Sequence, residues 1–219
     1  MWIRELLRSF QFTKPNFLPS PVFAITLLTH TSIERILLNS QDFLHNFFMK
    51  NQKTTKKPKT LSCQDSAVIM TQLVLPSHTN ALGTIFGGTV MAWIDIAAAI
   101  SAQKHSRSAV VTASIDALHF LSPIQLGHVV HLKASVNFCG RTSMEVGVRV
   151  DSENPLTGEK WHSASAYTTF VAIDQNNNPI EVPRLFPKTA TEKRRHQSAL
   201  ARRASRKKLA DKIKQKDRK

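Results

Sequence analysis

Asn80-Ala81-Leu82-Gly83-Thr84-Ile85-Phe86-Gly87-Gly88-Thr89-Val90-Met91-Ala92-Trp93-Ile94-Asp95 is a glycine-rich turn running into a long apolar segment. From Thr89 to Ala102 the chain reads TVMAWIDIAAAISA, and Asp95 is its one ionisable residue. A helix that is apolar on every side is expected to be buried on every side. An ionised carboxylate on it is costly unless something pairs with it, hydrogen-bonds it or keeps it wet. Such positions are more often functional than decorative, so Asp95 reads as a reacting group. A satisfied core or interface aspartate is the alternative.

Around this stretch the chain divides by composition. It has 219 residues and a formal net charge of +15. Residues 1–60 carry 9 Lys/Arg against 3 Asp/Glu, residues 61–183 carry 6 against 9, and residues 184–219 carry 15 against 3. The middle is an ordinary, slightly acidic globular segment, and the positive charge belongs to the ends. The expected organisation is an N-terminal extension over 1–60, one domain over 61–183 and a basic C-terminal tail over 184–219. Met49 opens a new composition, MKNQKTTKKPKT. Either Met49 is the initiator and 1–48 is upstream sequence, or Ile3, Leu6, Leu7 and Phe10 form a small amphipathic segment.

Several classes are excluded. No run has the roughly 20 apolar residues that span a bilayer. Val22–Leu28 follows Pro19 and Pro21 without a cleavage site, which argues against a secretory signal. Cys63 and Cys139 lie far apart, as in a reduced cytoplasmic protein, and Cys139 reads as a small strand hydrophobe rather than a nucleophile. The nine histidines show no metal-ligand spacing, so no metal is expected.

The pattern of elements is strand, long helix, four strands. Ala67–Leu75 reads as a strand, ended by Pro76. The helix runs from about Gly88 to about Lys104, with Lys104, His105 and Arg107 suiting the negative end of its dipole. Strands follow over Ala109–Phe120, His128–Cys139, Ser143–Asp151 and Lys160–Asp174. In the second of these, Val130, Leu132, Ala134, Val136 and Phe138 share one face. Tight turns make the sheet antiparallel, and the fold class is α+β. Residues 192–214 have helical potential but few apolar positions, so the tail reads as solvated or partly helical. Polyanion binding is open to it, though no aromatics interleave its cations to stack on bases.

The spacing N-x-x-G-x-x-F-G-G-x-x-M-x-x-x-D, with this strand order, resembles the hotdog-fold acyl-CoA thioesterases, in particular the bacterial branch related to cytosolic long-chain acyl-CoA hydrolases. Gly140-Arg141-Thr142-Ser143, Leu156-Thr157-Gly158-Glu159-Lys160 and Phe170-Val171-Ala172-Ile173-Asp174 support it. The match runs from about Gln64 to about Pro183. The resemblance implies a central helix wrapped by a curled antiparallel sheet of five to six strands. It implies a homodimer with sheets joined edge to edge, assembled further as a trimer of dimers. It implies acyl-CoA as substrate, no cofactor beyond the CoA of the substrate, no need for nucleic acid, and a cytoplasmic location. It places Asn80 of one chain and Asp95 of the other as a catalytic pair across the interface.

The chemistry can be argued beside the resemblance. Thioester hydrolysis needs a nucleophilic water and donors for the developing oxyanion. Gly87 and Gly88 allow close approach, and amides at a helix start lack internal partners and favour negative charge. Such a donor is worth about 3–4 kcal/mol in the barrier. Asp95 acts as general base, or as nucleophile through an anhydride, and desolvation is expected to raise its pKa. The Asn80 amide orients water or donates to the thioester oxygen; an Asx turn is the bland reading. Arg141 suits a CoA phosphate, with a solvated turn arginine as the alternative. Thr142 and Ser143 add hydroxyls or cap a strand, and Lys160 is a weaker CoA candidate. His78 reads as a loop histidine, and Met91, Trp93 and Ile94 as a core stripe or an acyl tunnel. A dehydratase or a non-catalytic acyl-CoA-binding protein would share the fold. The first would want a histidine opposite the helical carboxylate.

Overall fold

A computed structural model of the chain describes residues 60–116 and 118–216. The expectations for Met49 and the first 48 residues lie outside the described residues. The elements are β1 (Thr60–Leu61), β2 (Val68–Leu73), α1 (Gly87–Ser106), β3 (Ala109–Ile115), β4 (His119–Phe120), β5 (Val129–Cys139), β6 (Ser143–Glu153), β7 (Lys160–Ile173), β8 (Arg184–Leu185) and α2 (Ala190–Lys216). The main sheet is antiparallel, in the order β2-β5-β6-β7-β3, with β4 also on β7. β2 and β3, which flank α1 in sequence, are therefore the two edges, and α1 crosses the inner face between them. The short β1 pairs in parallel with β8. This is the hotdog arrangement expected from the sequence.

Helix and sheet meet through small residues. Ala97, Ala98 and Ala102 are fully buried, which brings the α1 backbone close to the sheet, while Val90 and Ile94 fill the space at its entry. Opposite them stand Leu132, Val136, Met144, Val146, Val148 and Phe170, inward-facing residues at period-2 spacing. α1 is not buried all round. Met91, Ile96 and Ile100 form an open stripe, with 47%, 50% and 39% of their surface accessible. Among the described residues nothing covers this side of the largely apolar helix.

Two strands depart from the sequence pattern. The expected strand over Ala109–Phe120 is broken after Ile115, where the Asp116 carboxylate takes a 2.6 Å bond from Arg206 of α2. Phe138 does not share a face with Val136. The β5–β6 register slips between them, pairing Val136 with Val146 but Phe138 with Glu145. The extra residue, Asn137, is a bulge, and a one-residue slip turns the following side chains to the other face. Phe138 thus reaches the outer face, 5.6 Å from the His196 ring of α2.

The basic tail is a 27-residue helix, helical over more of its length than expected, that lies along the outer face of the sheet with most of its residues exposed. Glu145 is 1% exposed and takes 2.6 Å and 3.1 Å bonds from Arg202 and a 2.9 Å bond from Arg206. The Arg202 guanidinium lies 3.5 Å over the Tyr167 ring. Arg202 and Arg206 are four residues apart, so they share one helix face. α2 is held by charge and by the buried Ala199 rather than by an apolar stripe.

The end of α1 also differs from expectation. Lys104 donates to the Ala67 carbonyl at 2.7 Å. His105 is fully buried, and desolvation holds its pKa below the usual histidine value against an opposing contact to the Pro183 carbonyl. It is therefore neutral, not a dipole-matched cation. Unfolding releases it to an ordinary histidine pKa near 6.5. The unfolded state then binds the proton more readily, so this contribution to stability is present above about pH 6.5 and is lost as pH falls. Urea midpoints should drop between about pH 7.5 and 5.5, and His105→Gln should flatten that slope. An unchanged slope would mean that His105 does not titrate on unfolding.

Candidate active site

Phe86 caps α1 in extended conformation, and its carbonyl accepts from the amides of Thr89 (2.9 Å) and Val90 (3.4 Å). The amides of Gly87 and Gly88 have no acceptor among the described residues. Gly88 is needed for space, whereas a side chain at 87 would make only an ordinary contact. A Cβ at 88 would stand 2.4 Å from Phe86 Cε1, and one at 87 would touch the Phe120 ring at 3.5 Å. Two exposed aromatic rings therefore flank the helix start. Beside it lies a groove of about 360 Å³ lined by Thr84, Ile85, Gly87, Phe120, Leu121 and Pro123.

Asp95 lies in the third turn of α1, half-buried. It is seven residues beyond Gly88, on the same helix face and about 10 Å along the axis. Met91, four residues before Asp95, is open on the same face, and Ile96 and Ile100 are open further round the helix. Asp95 Oδ1 accepts a 2.9 Å bond from the Thr112 hydroxyl on the edge strand β3. Sequence reading missed Thr112, because nothing in Val110-Val111-Thr112 distinguishes it from an ordinary strand threonine. It also missed the two phenylalanine rings over the glycines.

Asn80 is exposed in the turn before α1. Its Oδ1 accepts from the Leu82 amide at 2.9 Å, an Asx turn, and its Nδ2 lies 3.0 Å from the Thr84 hydroxyl. It makes no hydrogen bond to Asp95 within the protomer. His78 braces the loop: its ring meets Trp93 edge-on at 5.1 Å, and its Nδ1 accepts from the Leu75 amide at 3.2 Å. Trp93 and Ile94 are core, whereas Met91 is exposed.

Of the four CoA candidates, the protomer brings three together. Arg141, Thr142 and Ser143 form the β5–β6 turn, closed by the Gly140 amide on the Ser143 carbonyl at 2.7 Å, and Arg141 is exposed. Lys160 stands at the far end of the β6–β7 hairpin, paired with Glu153 at 3.1 Å. The 11 residues of β6 separate the two groups, about 33 Å at strand rise. Cys63 and Cys139 are free thiols, pushed up to about 11 and about 12 by burial, so both stay protonated. Among the described residues no three His, Cys, Asp or Glu side chains gather into a metal-binding group. No described helix is long and apolar enough to cross a bilayer.

Residues 82–159 match the thioesterase superfamily. An uncharacterised acyl-CoA thioester hydrolase of Bacillus subtilis, YkhA, is 43% identical over 150 residues, covering 68% of this chain and 87% of YkhA. A crystal structure of an apo-hexameric acyl-CoA thioesterase is 49% identical with a TM-score of 0.68, covering 69% of this chain and 97% of that one. An acyl-CoA hydrolase of Staphylococcus aureus, solved with butyryl coenzyme A, coenzyme A and coenzyme A disulfide, is 38% identical with a TM-score of 0.68, covering 71% and 95%. The chain belongs to the thioesterase superfamily, within its hotdog-fold acyl-CoA thioesterases. The Staphylococcus aureus protein has also been solved as single alanine variants of an asparagine, an aspartate and a threonine. Their separations, 15 and 17 residues, equal those from Asn80 to Asp95 and from Asp95 to Thr112.

Proposed function

We propose that this protein cleaves acyl-CoA thioesters to fatty acid and CoA at sites shared between two protomers. The observation that carries this is the placement of Asp95 on an open apolar stripe, held by Thr112, two turns from the unpaired glycine amides. Within one chain the carboxylate and the amides are too far apart for one water to bridge base and carbonyl, since each hydrogen-bonded step spans about 3 Å. A second α1 packed on the stripe would set the partner's Asp95 beside the glycine turn and Asn80 of the first chain. It would also cover Met91, Ile96 and Ile100, which no element among the described residues does.

In that arrangement the Gly88 amide, with Gly87 beside it, receives the thioester oxygen as charge develops. The partner's Asp95 carboxylate takes the proton from water as it attacks, or attacks through an anhydride. Asn80 orients the water. Thr112 fixes one carboxylate oxygen and leaves the other free for the reaction. The groove at Phe120 and Leu121 suits an apolar chain or pantetheine, and the Arg141–Ser143 turn suits CoA phosphate. CoA belongs to the substrate and no cofactor is assigned. A hexamer built as a trimer of dimers fits the likeness to the hexameric thioesterase, and the free thiols fit a reducing cytoplasm. A dehydratase would need a histidine at Asp95, where Thr112 stands instead.

The test is a series of acyl-CoAs of increasing chain length, with released thiol as the readout, on wild type and Thr112→Val. Wild type should release free CoA. The near-isosteric variant should keep its melting temperature and lose roughly tenfold in kcat, because the carboxylate loses one positioning hydrogen bond worth about 1.5 kcal/mol. No thiol release from any acyl-CoA would remove the reading, and an unchanged kcat would remove the role of Thr112.

A further inference from the structure

The outer face of the sheet holds a second cavity, separated from Asp95 by the sheet itself. It is a groove of about 410 Å³ between β5, β6 and β7 on one side and the first half of α2 on the other. Lys133 and Arg149 line it from the sheet, and Arg194, Arg195 and Arg202 from the helix. Lys133 and Arg149 share Asp151, at 3.0 Å and 2.7 Å, and Arg202 is bound to Glu145. Neither Arg194 nor Arg195 has a carboxylate partner among the described residues. Five cations therefore face two carboxylates, and one of these, Glu145, is shared with Arg206.

The floor of the groove is made by the β5 bulge. Asn137 is 3% exposed, lines the cavity, and its side-chain amide makes no hydrogen bond among the described residues. That amide is open to the groove, where water or a ligand can reach it. Gly147 leaves the space that Asn137 occupies, since a Cβ there would lie 2.3 Å from Asn137 Nδ2. Ser165, Tyr167 and Ser198 add hydroxyls to the walls. The lining is rich in donors, positively charged in excess, and includes guanidinium groups suited to bidentate oxyanion contacts.

We propose that this groove binds a small soluble phosphorylated molecule carrying two or three negative charges, held by Arg194 and Arg195 from α2 and by the Asn137 amide from the floor. Such a ligand bridges α2 to the sheet, so its binding also tightens the helix on the fold.

The probe is inorganic pyrophosphate, titrated calorimetrically into the full-length protein at constant ionic strength. Saturable binding with Kd below about 1 mM is expected. The Arg194→Glu/Arg195→Glu double variant changes only exposed side chains and should weaken binding at least tenfold, while its kcat on acyl-CoA without pyrophosphate stays at the wild-type value. Asn137→Asp, nearly isosteric, should weaken it by a comparable factor. No saturable binding to wild type, or equal binding by the charge-reversed double variant, would overturn the proposal. So would capture of the protein by vesicles containing phosphatidic acid with no affinity for pyrophosphate, which would make the cations a membrane-facing surface.

Discussion

Asp95→Ala should fold, keep the wild-type oligomeric state and cleave acyl-CoA at least about a thousandfold more slowly. General bases contribute roughly 10²–10⁴ in rate, and this one also fixes the attacking water. The fold should tolerate the change because Asp95 is half-buried and its one hydrogen-bond partner among the described residues is the exposed Thr112 hydroxyl. No buried cation is stranded. The loss should appear in kcat rather than KM, since the carboxylate acts on water and not on the CoA moiety. Steady-state thiol release and size-exclusion chromatography on the same preparation check both halves. Activity within tenfold of wild type would place the base elsewhere.

Glu145→Gln should have the largest effect on stability. The substitution keeps shape but removes the charge that Arg202 and Arg206 share at 2.6 Å and 2.9 Å. Arg206 retains Asp116 at 2.6 Å, whereas Arg202 is left with the Tyr167 ring alone. Breaking a buried ion pair from one side typically costs 3–5 kcal/mol. The two guanidiniums keep 22–23% of their surface in solvent, which moderates the loss to about 3 kcal/mol. For a fold of this size that is a drop of roughly 6–12 °C in Tm. Hydrogen exchange should quicken along α2 before it does in β5 to β7. A variant that melts with wild type, with α2 protection unchanged, would show that the helix does not depend on this cluster.

How much of this was legible beforehand differs from residue to residue. α1 was legible because three glycines, then a long apolar run with Asp95 as its one ionisable residue, have few other solutions. The strand order was legible because short turns at Gly140-Arg141 and Asn154–Gly158 leave only antiparallel neighbours. The open stripe was not, because hydrophobicity does not say which element provides the burial, and the described residues cover only one side of α1. The position of Phe138 was not, because the bulge at Asn137 depends on the absence of a side chain at Gly147, a residue that pairs from another strand. Thr112 and Glu145 both act through partners far away in the chain, 17 and 57 residues respectively. Periodicity carries no trace of such pairs. The docking of α2 was hidden for the same reason: Arg202 and Arg206 look like any tail cations until Glu145 is seen to be buried.

The site itself divides the same way. Gly87, Gly88 and Asp95 were marked by composition and Asn80 by the family resemblance, and the glycine amides and the carboxylate lie on one helix face. Lys160 was grouped with Arg141 by motif proximity to hairpins, and the length of β6 separates them within a protomer.

The central claim is that each reacting centre draws Asn80 from one protomer and Asp95 from another. Asn80→Ala and Asp95→Ala proteins, each inactive or nearly so alone, can be dissociated, mixed in equal amounts and reassembled. In a mixed dimer one site inherits an intact Asn80 and an intact Asp95, so random reassembly should restore about one quarter of wild-type activity. If both residues served the same site from the same chain, the mixture would show no more than the sum of the two variants, and that result would contradict the shared site.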